Sequence, residues 1–264
     1  MILSICIPTY NRLGYLKELL DVLIRQIDAL QPGVVELVIS DNGSTDGTSD
    51  FCRSLNRPYV RFWRNERNIG GDRNFLKCIR EADGKYVWLI GDDDLVERDG
   101  VSRVVDGLRD ETPALVIADG ERSGKTVYDD YRTCLLAEQK RLRLFAMAHS
   151  LISANIFQKD LFDLPFAESR LWTQYSHMFG LVKRLVGKIV VMPGIVRVRE
   201  VRADFAKYPS FLCVKQAFYL WYLAERFEMP GYRMRALLSV CNLPMEFGSR
   251  VKFYLLKMAR LLHG

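Results

Sequence analysis

The stretch KYVWLIGDDD, Lys85 to Asp94, decides the fold of this 264-residue chain. Tyr86 to Ile90 is an apolar run of strand length with no polar alternation, so both faces of the strand must be covered. Such strands belong to a mostly parallel sheet between helix layers, whose ligand site lies at the strands' carboxyl ends. At that end stand Gly91 and then Asp92, Asp93 and Asp94. Three neighbouring carboxylates repel one another unless a cation sits between them. Their hard oxygens suit Mg²⁺ or Mn²⁺, ions that complete their shell with water and substrate phosphates. One carboxylate alone would be enough to cap the helix expected to begin near Glu97.

Working outward, further strands are predicted at Leu3–Ile7, Val34–Ser40, Val60–Trp63 and Ala114–Ala118, with Tyr86–Ile90 among them. A helix over about Leu13–Ile27 has Leu16, Leu19, Leu20, Leu23 and Ile27 on one stripe. A second helix follows Ser44-Thr45-Asp46, with one of those residues as its cap, and a third runs from Asp72 to about Ala82. This alternation of strands and helices is that of an α/β fold. After Asp119 the pattern changes. Gly120 to Asp130 is polar and turn-rich; Leu135–Ala148 has helical period; Leu151–Phe157 reads as a strand, Arg170–Val186 as a long amphipathic helix and Lys188–Met192 as a short strand. Three more helical segments, near Ser210–Phe227, Arg233–Cys241 and Phe247–Leu262, close the chain. The organisation expected is residues 1–120 and 121–205 as two halves of one domain, with 206–264 as a helical, basic extension.

The net charge of +6 divides into −5 over residues 1–120 and +11 over 121–264. A basic half suits nucleic acid, anionic lipid or a phosphorylated substrate alike, but the acidic cluster and the lack of a recognition motif speak against nucleic acid. The six cysteines are scattered, and none forms a C-x-x-C pair or a zinc set with His, which fits a reducing compartment. No basic leader precedes the first apolar run, and no segment offers the roughly 18 uninterrupted apolar residues of a membrane span. A cytoplasmic location is expected.

Four loops converge on one sheet edge: Pro8-Thr9-Tyr10-Asn11-Arg12, Asp41 to Asp46, Asn68 to Asn74, and Gly91 to Asp94. Asp41 ends its strand where a carboxylate can accept hydrogen bonds from a base or ribose. Gly70 and Gly71 allow close backbone approach at a helix start, and Arg73 on the first turn can reach a phosphate.

These segments, SICIPTYNR, ELVISDNGSTDGT and NERNIGGDRNFLKCIREADGKYVWLIGDDD, resemble in order and spacing the signatures of GT-A fold, family 2 glycosyltransferases over residues 2–105. NIGGDRNF and IGDDD further resemble the bacterial O-antigen and capsule type, including the abequosyltransferase-like branch. The resemblance implies an inverting transfer from a nucleotide-sugar donor to a saccharide or lipid-linked saccharide acceptor, hexosyl or deoxyhexosyl, with Mn²⁺ or Mg²⁺. By position it implies that Thr9 and Asp41 contact the nucleoside, Arg73 the base or phosphates, Asp92 the ribose and Asp93 the metal. Pro8, Tyr10 and Asn11 shape the nucleoside pocket. Relatives often carry Asp where this chain has Gly91, so the metal shell draws on Asp94 as well.

Relatives also carry an acidic pair where this chain has Trp172-Thr173-Gln174-Tyr175, and Gln174 cannot act as a base at neutral pH. Glu168 and His177 are the near candidates for the general base, with Gln174 and His177 on one helix face; Glu200 and Asp204 are remoter. The alternative for His177 is an ordinary hydrogen-bonded helix residue.

From Ser249 onward an apolar stripe lies beside Arg250, Lys252, Lys257 and Arg260, so 249–264 can meet the inner face of a membrane or pack on the core. Phe211, Phe218, Tyr219, Trp221 and Tyr222 can line an acceptor groove or belong to the core. Two other functions fit an acidic α/β edge. A sugar nucleotidyltransferase would carry a glycine-rich loop after the first strand, which PTYNR lacks, and a non-catalytic sugar-nucleotide binder would dispense with the acidic pair.

Overall fold

The computed structural model describes residues 1–118, 124–137, 152–171, 176–197, 222–223 and 226–228. The chain divides into two compact units, Met1–Trp172 with Ser176–Glu200, and Thr173–Tyr175 with Val201–Gly264. In the second, the Phe227 N–H donates to the Leu223 carbonyl at 3.0 Å, as in a helical turn. The segments 206–221 and 229–264, including the 249–264 stripe, lie outside the described residues. No described helix is long and apolar enough to cross a membrane.

The first unit begins with β1 (Leu3–Thr9), α1 (Leu13–Asp28), β2 (Val35–Asp41), α2 (Thr48–Ser54), β3 (Val60–Arg64), α3 (Gly71–Glu81) and β4 (Tyr86–Leu89). It continues through β5 (Leu95–Val96), α4 (Gly100–Glu111), β6 (Leu115–Ala118), β7 (Thr126–Tyr128), α5 (Tyr131–Ala137) and β8 (Asn155–Gln158). It ends with α6 (Leu164–Glu168), α7 (Ser176–Lys183), β9 (Ile189–Met192) and β10 (Val196–Arg197). Eight strands form one sheet in the order β3-β2-β1-β4-β8-β6-β9-β7, and β5 pairs with β10 in a ribbon. Strands β3, β2, β1, β4, β6 and β9 run one way; β8, inserted between β4 and β6, and β7 at the edge run the other. The result is a mostly parallel sheet flanked by helices, as the apolar runs require.

Every residue of β1 and β2 is buried, and the predicted stripe of α1, Leu16, Leu19, Leu20, Leu23 and Ile27, is the face that α1 buries. Val101, Val104, Val105 and Leu108 of α4 join the same core. Register carries this packing to the sheet's carboxyl edge, where Thr9 stands beside Asp41 and Asp41 beside Arg64.

The structure departs from the sequence reading where polar side chains supply the order. The turn-rich stretch contains β7, a three-residue strand that among the described residues pairs with β9 alone and so needs no apolar run. α5 begins at Tyr131, earlier than Leu135, because Asp130 accepts the Thr133 N–H at 2.7 Å. The strand expected from Leu151 starts only at Asn155, after a 3₁₀ turn over Ile152–Ala154 whose Ser153 is engaged elsewhere. Of the helix expected over Arg170–Val186, the described part is α7, which ends at Lys183, with 172–175 outside the described residues; before it stands α6, which Asp163 caps and which has Pro165 in its first turn.

Candidate functional site

Asp41, at the end of β2, is fully buried: Oδ1 accepts the Ser44 N–H at 2.9 Å and Oδ2 lies 3.6 Å from Arg64 Nε. The loop after β1 is laced to the loop after β2. Asn11 adopts φ 51°, a left-handed conformation that Asn tolerates, and there its N–H donates to Ser44 Oγ at 2.9 Å while its Oδ1 accepts the Thr45 N–H at 2.8 Å. Gly43, at φ +79°, could bear no side chain, since a Cβ would lie 2.9 Å from the Arg67 carbonyl carbon. Asp46 joins two helix starts, accepting from the Leu13 N–H at 2.9 Å and the Thr48 N–H at 3.2 Å. Burial opposes its charge, but the Thr48 hydroxyl and these backbone donors outweigh that and hold its carboxyl below the usual range.

Buried asparagines fix the third loop. Asn42 Oδ1 accepts from Asn65 Nδ2 and from the Ile69 N–H, both at 3.0 Å, and Asn42 Nδ2 donates to Asn68 Oδ1 at 2.9 Å. Asn74 Oδ1 accepts from Ser40 Oγ at 2.7 Å and Asn65 Nδ2 at 3.0 Å, while its Nδ2 donates to the Ser40 carbonyl at 2.8 Å. Lys77 Nζ closes the set on Asn65 Oδ1 at 2.6 Å. A network satisfied at every member has one arrangement, so Gly70, with φ +90°, and the exposed Arg73 enter α3 in a fixed place beside β2.

The fourth loop is a tight turn closed by the Asp94 N–H to the Gly91 carbonyl at 3.1 Å. Its carboxylates separate into two kinds. Asp92 Oδ1 and Asp93 Oδ2 converge on one nitrogen, Arg12 Nη1, at 3.1 and 2.8 Å. Asp94, which the sequence reading paired with Asp93 as an ion ligand, is turned onto the buried Ser153, whose hydroxyl donates to it. Ser153 also takes the Gly91 N–H on Oγ and the Trp88 indole N–H on its carbonyl, each at 2.9 Å. Asp94 therefore braces the loop from the β8 side.

Burial pushes the Asp92 carboxyl up to about 6. The Thr9 hydroxyl and the Arg12 guanidinium pull the other way, and Asp93 adds to the rise. The Thr9 hydroxyl has no hydrogen bond of normal geometry, so its influence on Asp92 is one of proximity. Asp92 and Asp93 thus already share a cation position at the sheet edge, and a divalent ion suits the same oxygens. Among the described residues no cluster of three or more His, Cys, Asp or Glu could hold an ion alone.

Residues 4–163, which carry all four loops, match the model of glycosyl transferase family 2. The chain belongs to this family. It is 30% identical over 206 residues to abequosyltransferase RfbV of Salmonella typhimurium, covering 68% of this chain and 60% of that protein. It is 51% identical to validoxylamine A glucosyltransferase of Streptomyces hygroscopicus over 53 residues, 20% of this chain and 12% of that one. The chain thus spans at most about 60% of these relatives' length. Its fold is shared by S. aureus TarS 1-349 in complex with UDP-GlcNAc, at TM-score 0.65 and 13% identity over 98% of this chain and 80% of that one. It is also shared by mannosyltransferase PcManGT from Pyrobaculum calidifontis in complex with GDP-Man and Mn²⁺, at TM-score 0.52 and 18% identity over 97% and 85%.

In this family 2 chain the base candidates fall in different places. Glu168 of α6 is ion-paired with Arg80 in the last turn of α3. Arg80 lies nine residue steps along the helix from Gly71, about 14 Å at 1.5 Å per step, so Glu168 stands at the far end of α3 from the loops. His177 of α7 is buried, edge-on to Phe75 with ring centroids 6.1 Å apart. Phe75 in turn lies against Gly71, 3.7 Å from where a Cβ would be, which sets His177 one ring away from the start of α3. Gln174, Glu200 and Asp204 lie outside the described residues. The roles of Arg12, Ser153 and the asparagine network were missing from the sequence reading. Arg12 and the asparagines sit in or beside the quoted loops, whereas Ser153 has no local signal.

Proposed function

We propose that this chain transfers a sugar, hexosyl or deoxyhexosyl, from a nucleoside-diphosphate donor to a saccharide acceptor with inversion. The observation that carries it is the convergence of Asp92 and Asp93 on one cation position at the carboxyl edge of a parallel sheet, beside buried Asp41 and the glycine-led start of α3. Pro8, Thr9, Tyr10, Asn11 and Asp41 hold the nucleoside, Asp92 the ribose, and Arg73 the phosphates from the first turn of α3. Asp93, the more exposed of the converging pair, faces the divalent ion, with Asp92 behind it and Asp94 as brace. Bound there, Mn²⁺ or Mg²⁺ neutralises charge on the departing nucleoside diphosphate.

His177 is the described residue we assign to deprotonating the acceptor hydroxyl, because it lies nearer the start of α3 than Glu168 does. As the resemblance carried by NIGGDRNF and IGDDD implies, we take the acceptor to be a lipid-linked oligosaccharide of O-antigen or capsule assembly, with 249–264 touching the membrane. The test is incubation with MnCl₂, a panel of UDP-, GDP-, CDP- and dTDP-sugars and a saccharide acceptor series. Nucleoside diphosphate and an extended saccharide are expected. Release of pyrophosphate, or binding without turnover over the whole panel, would reject transfer.

A further inference from the structure

We propose that Arg12 competes with the divalent ion for Asp92 and Asp93, and so makes ion binding conditional on the donor's diphosphate. This rests on the donor site proposed above and adds a residue that regulates it. One guanidinium nitrogen, Nη1, takes Asp92 Oδ1 at 3.1 Å and Asp93 Oδ2 at 2.8 Å, the oxygens an ion would need. The Asp92 side chain is only 6% exposed and has little other surface to offer. Asp94 is turned away from Arg12, with one carboxylate oxygen taken by the Ser153 hydroxyl. Among the described residues Arg12 is the only cation ion-paired with either carboxylate.

Arg12 itself is 43% exposed, on a loop side chain that can swing away without opening a hole in the core. An ion arriving alone must break both contacts and leave the guanidinium without a partner. A diphosphate supplies that partner, since guanidinium groups bind phosphate oxygens in pairs. Ion and diphosphate therefore strengthen one another's binding, and by reciprocity each does so equally. For a half-exposed guanidinium the contest amounts to about tenfold in ion affinity, or 1.4 kcal/mol.

The experiment is calorimetric titration of the full chain with MnCl₂ alone, then with saturating UDP, GDP or CDP, for wild type, Arg12→Ala and Arg12→Lys. Arg12→Ala is expected to bind Mn²⁺ alone about tenfold more tightly than wild type and to gain correspondingly less from the nucleotide. Arg12→Lys is expected to keep the weak Mn²⁺ binding of wild type without nucleotide, because a single nitrogen reaches both carboxylates, and to gain less from nucleotide, because an ammonium does not bind phosphate oxygens in pairs. If Arg12→Ala binds Mn²⁺ no more tightly while wild type still gains from nucleotide, the competition is refuted and the donor site stands. If no form binds Mn²⁺ with or without nucleotide, both fall.

Discussion

Replacing Asn74 by Ala removes three hydrogen bonds at once: those with Ser40 Oγ, Asn65 Nδ2 and the Ser40 carbonyl. Asn74 is 2% exposed and Ser40 1%, so water cannot readily take its place. At about 1 kcal/mol net per bond the loss is about 3 kcal/mol, reduced by up to ~0.7 kcal/mol because Ala is the better helix former. Urea denaturation should show a lower midpoint with an unchanged slope, corresponding to 2–3 kcal/mol, roughly a quarter of an ordinary domain's stability. The same bonds tie the Asn68–Arg73 loop to β2, so in folded Asn74→Ala the KM for donor should rise several-fold while kcat changes less. A stability loss under about 0.5 kcal/mol would refute the network. An unaltered donor KM in the folded variant would refute its positioning role.

Glu36 tests the opposite edge of the sheet. It is buried, bound by Ser4 Oγ, Arg61 Nη1 and the Asp83 N–H, and Glu36→Ala should cost about 3 kcal/mol in urea denaturation while donor affinity, measured on the folded variant, stays unchanged. Asp46→Ala removes the donors' acceptor at two helix starts and should cost about 1–2 kcal/mol at neutral pH. Because the folded carboxyl is depressed, the stability due to Asp46 is present above 3.8, its ordinary value, and lost as pH falls through the lower folded one; the gap between wild type and variant should close there. Asp92 has the opposite sign. Its carboxyl is raised to about 6, so protonation between its ordinary value and 6 favours the fold, and that contribution fades as pH rises through 6. A divalent ion needs the charged form, so Mn²⁺ affinity in the presence of nucleotide should weaken below about pH 6 and level off above it in titrations across that range.

The parallel half of the sheet was legible because burial on both faces writes apolar runs: β1, β2, β4, β6 and β9 lie where those runs stand, while β3, half-buried at the sheet's edge, is marked by Val60, Phe62 and Trp63 alone. The stripe of α1 was legible for the same reason, one helix face against one core. β7 was not, since its three residues, Thr126–Tyr128, are too few to show an apolar run or an alternation. α6 carries a short local signal, Asp163 as cap and Pro165 in its first turn. At the site, the loops after β1, β2 and β4 could be named because their polar residues interrupt apolar strands. What those residues do to one another could not. The division of the Asp triplet depends on Ser153, which β8 brings to Gly91 from 62 positions away, and on Arg12, 80 and 81 positions before the carboxylates it pairs with. Contacts at such separations are products of sheet order, and β8 enters between β4 and β6 against the run of the chain.

Asp93 and Asp92 together offer the one cation position on which an ion and a donor diphosphate would meet. The measurement that meets this most directly is Mn²⁺ titration of wild type, Asp93→Asn and Asp94→Asn in the presence of the nucleoside diphosphate that the donor panel selects. Asp93→Asn should lose at least tenfold in Mn²⁺ affinity, with Asp94→Asn losing less at equal folded fraction. Equal affinity in wild type and Asp93→Asn would contradict it.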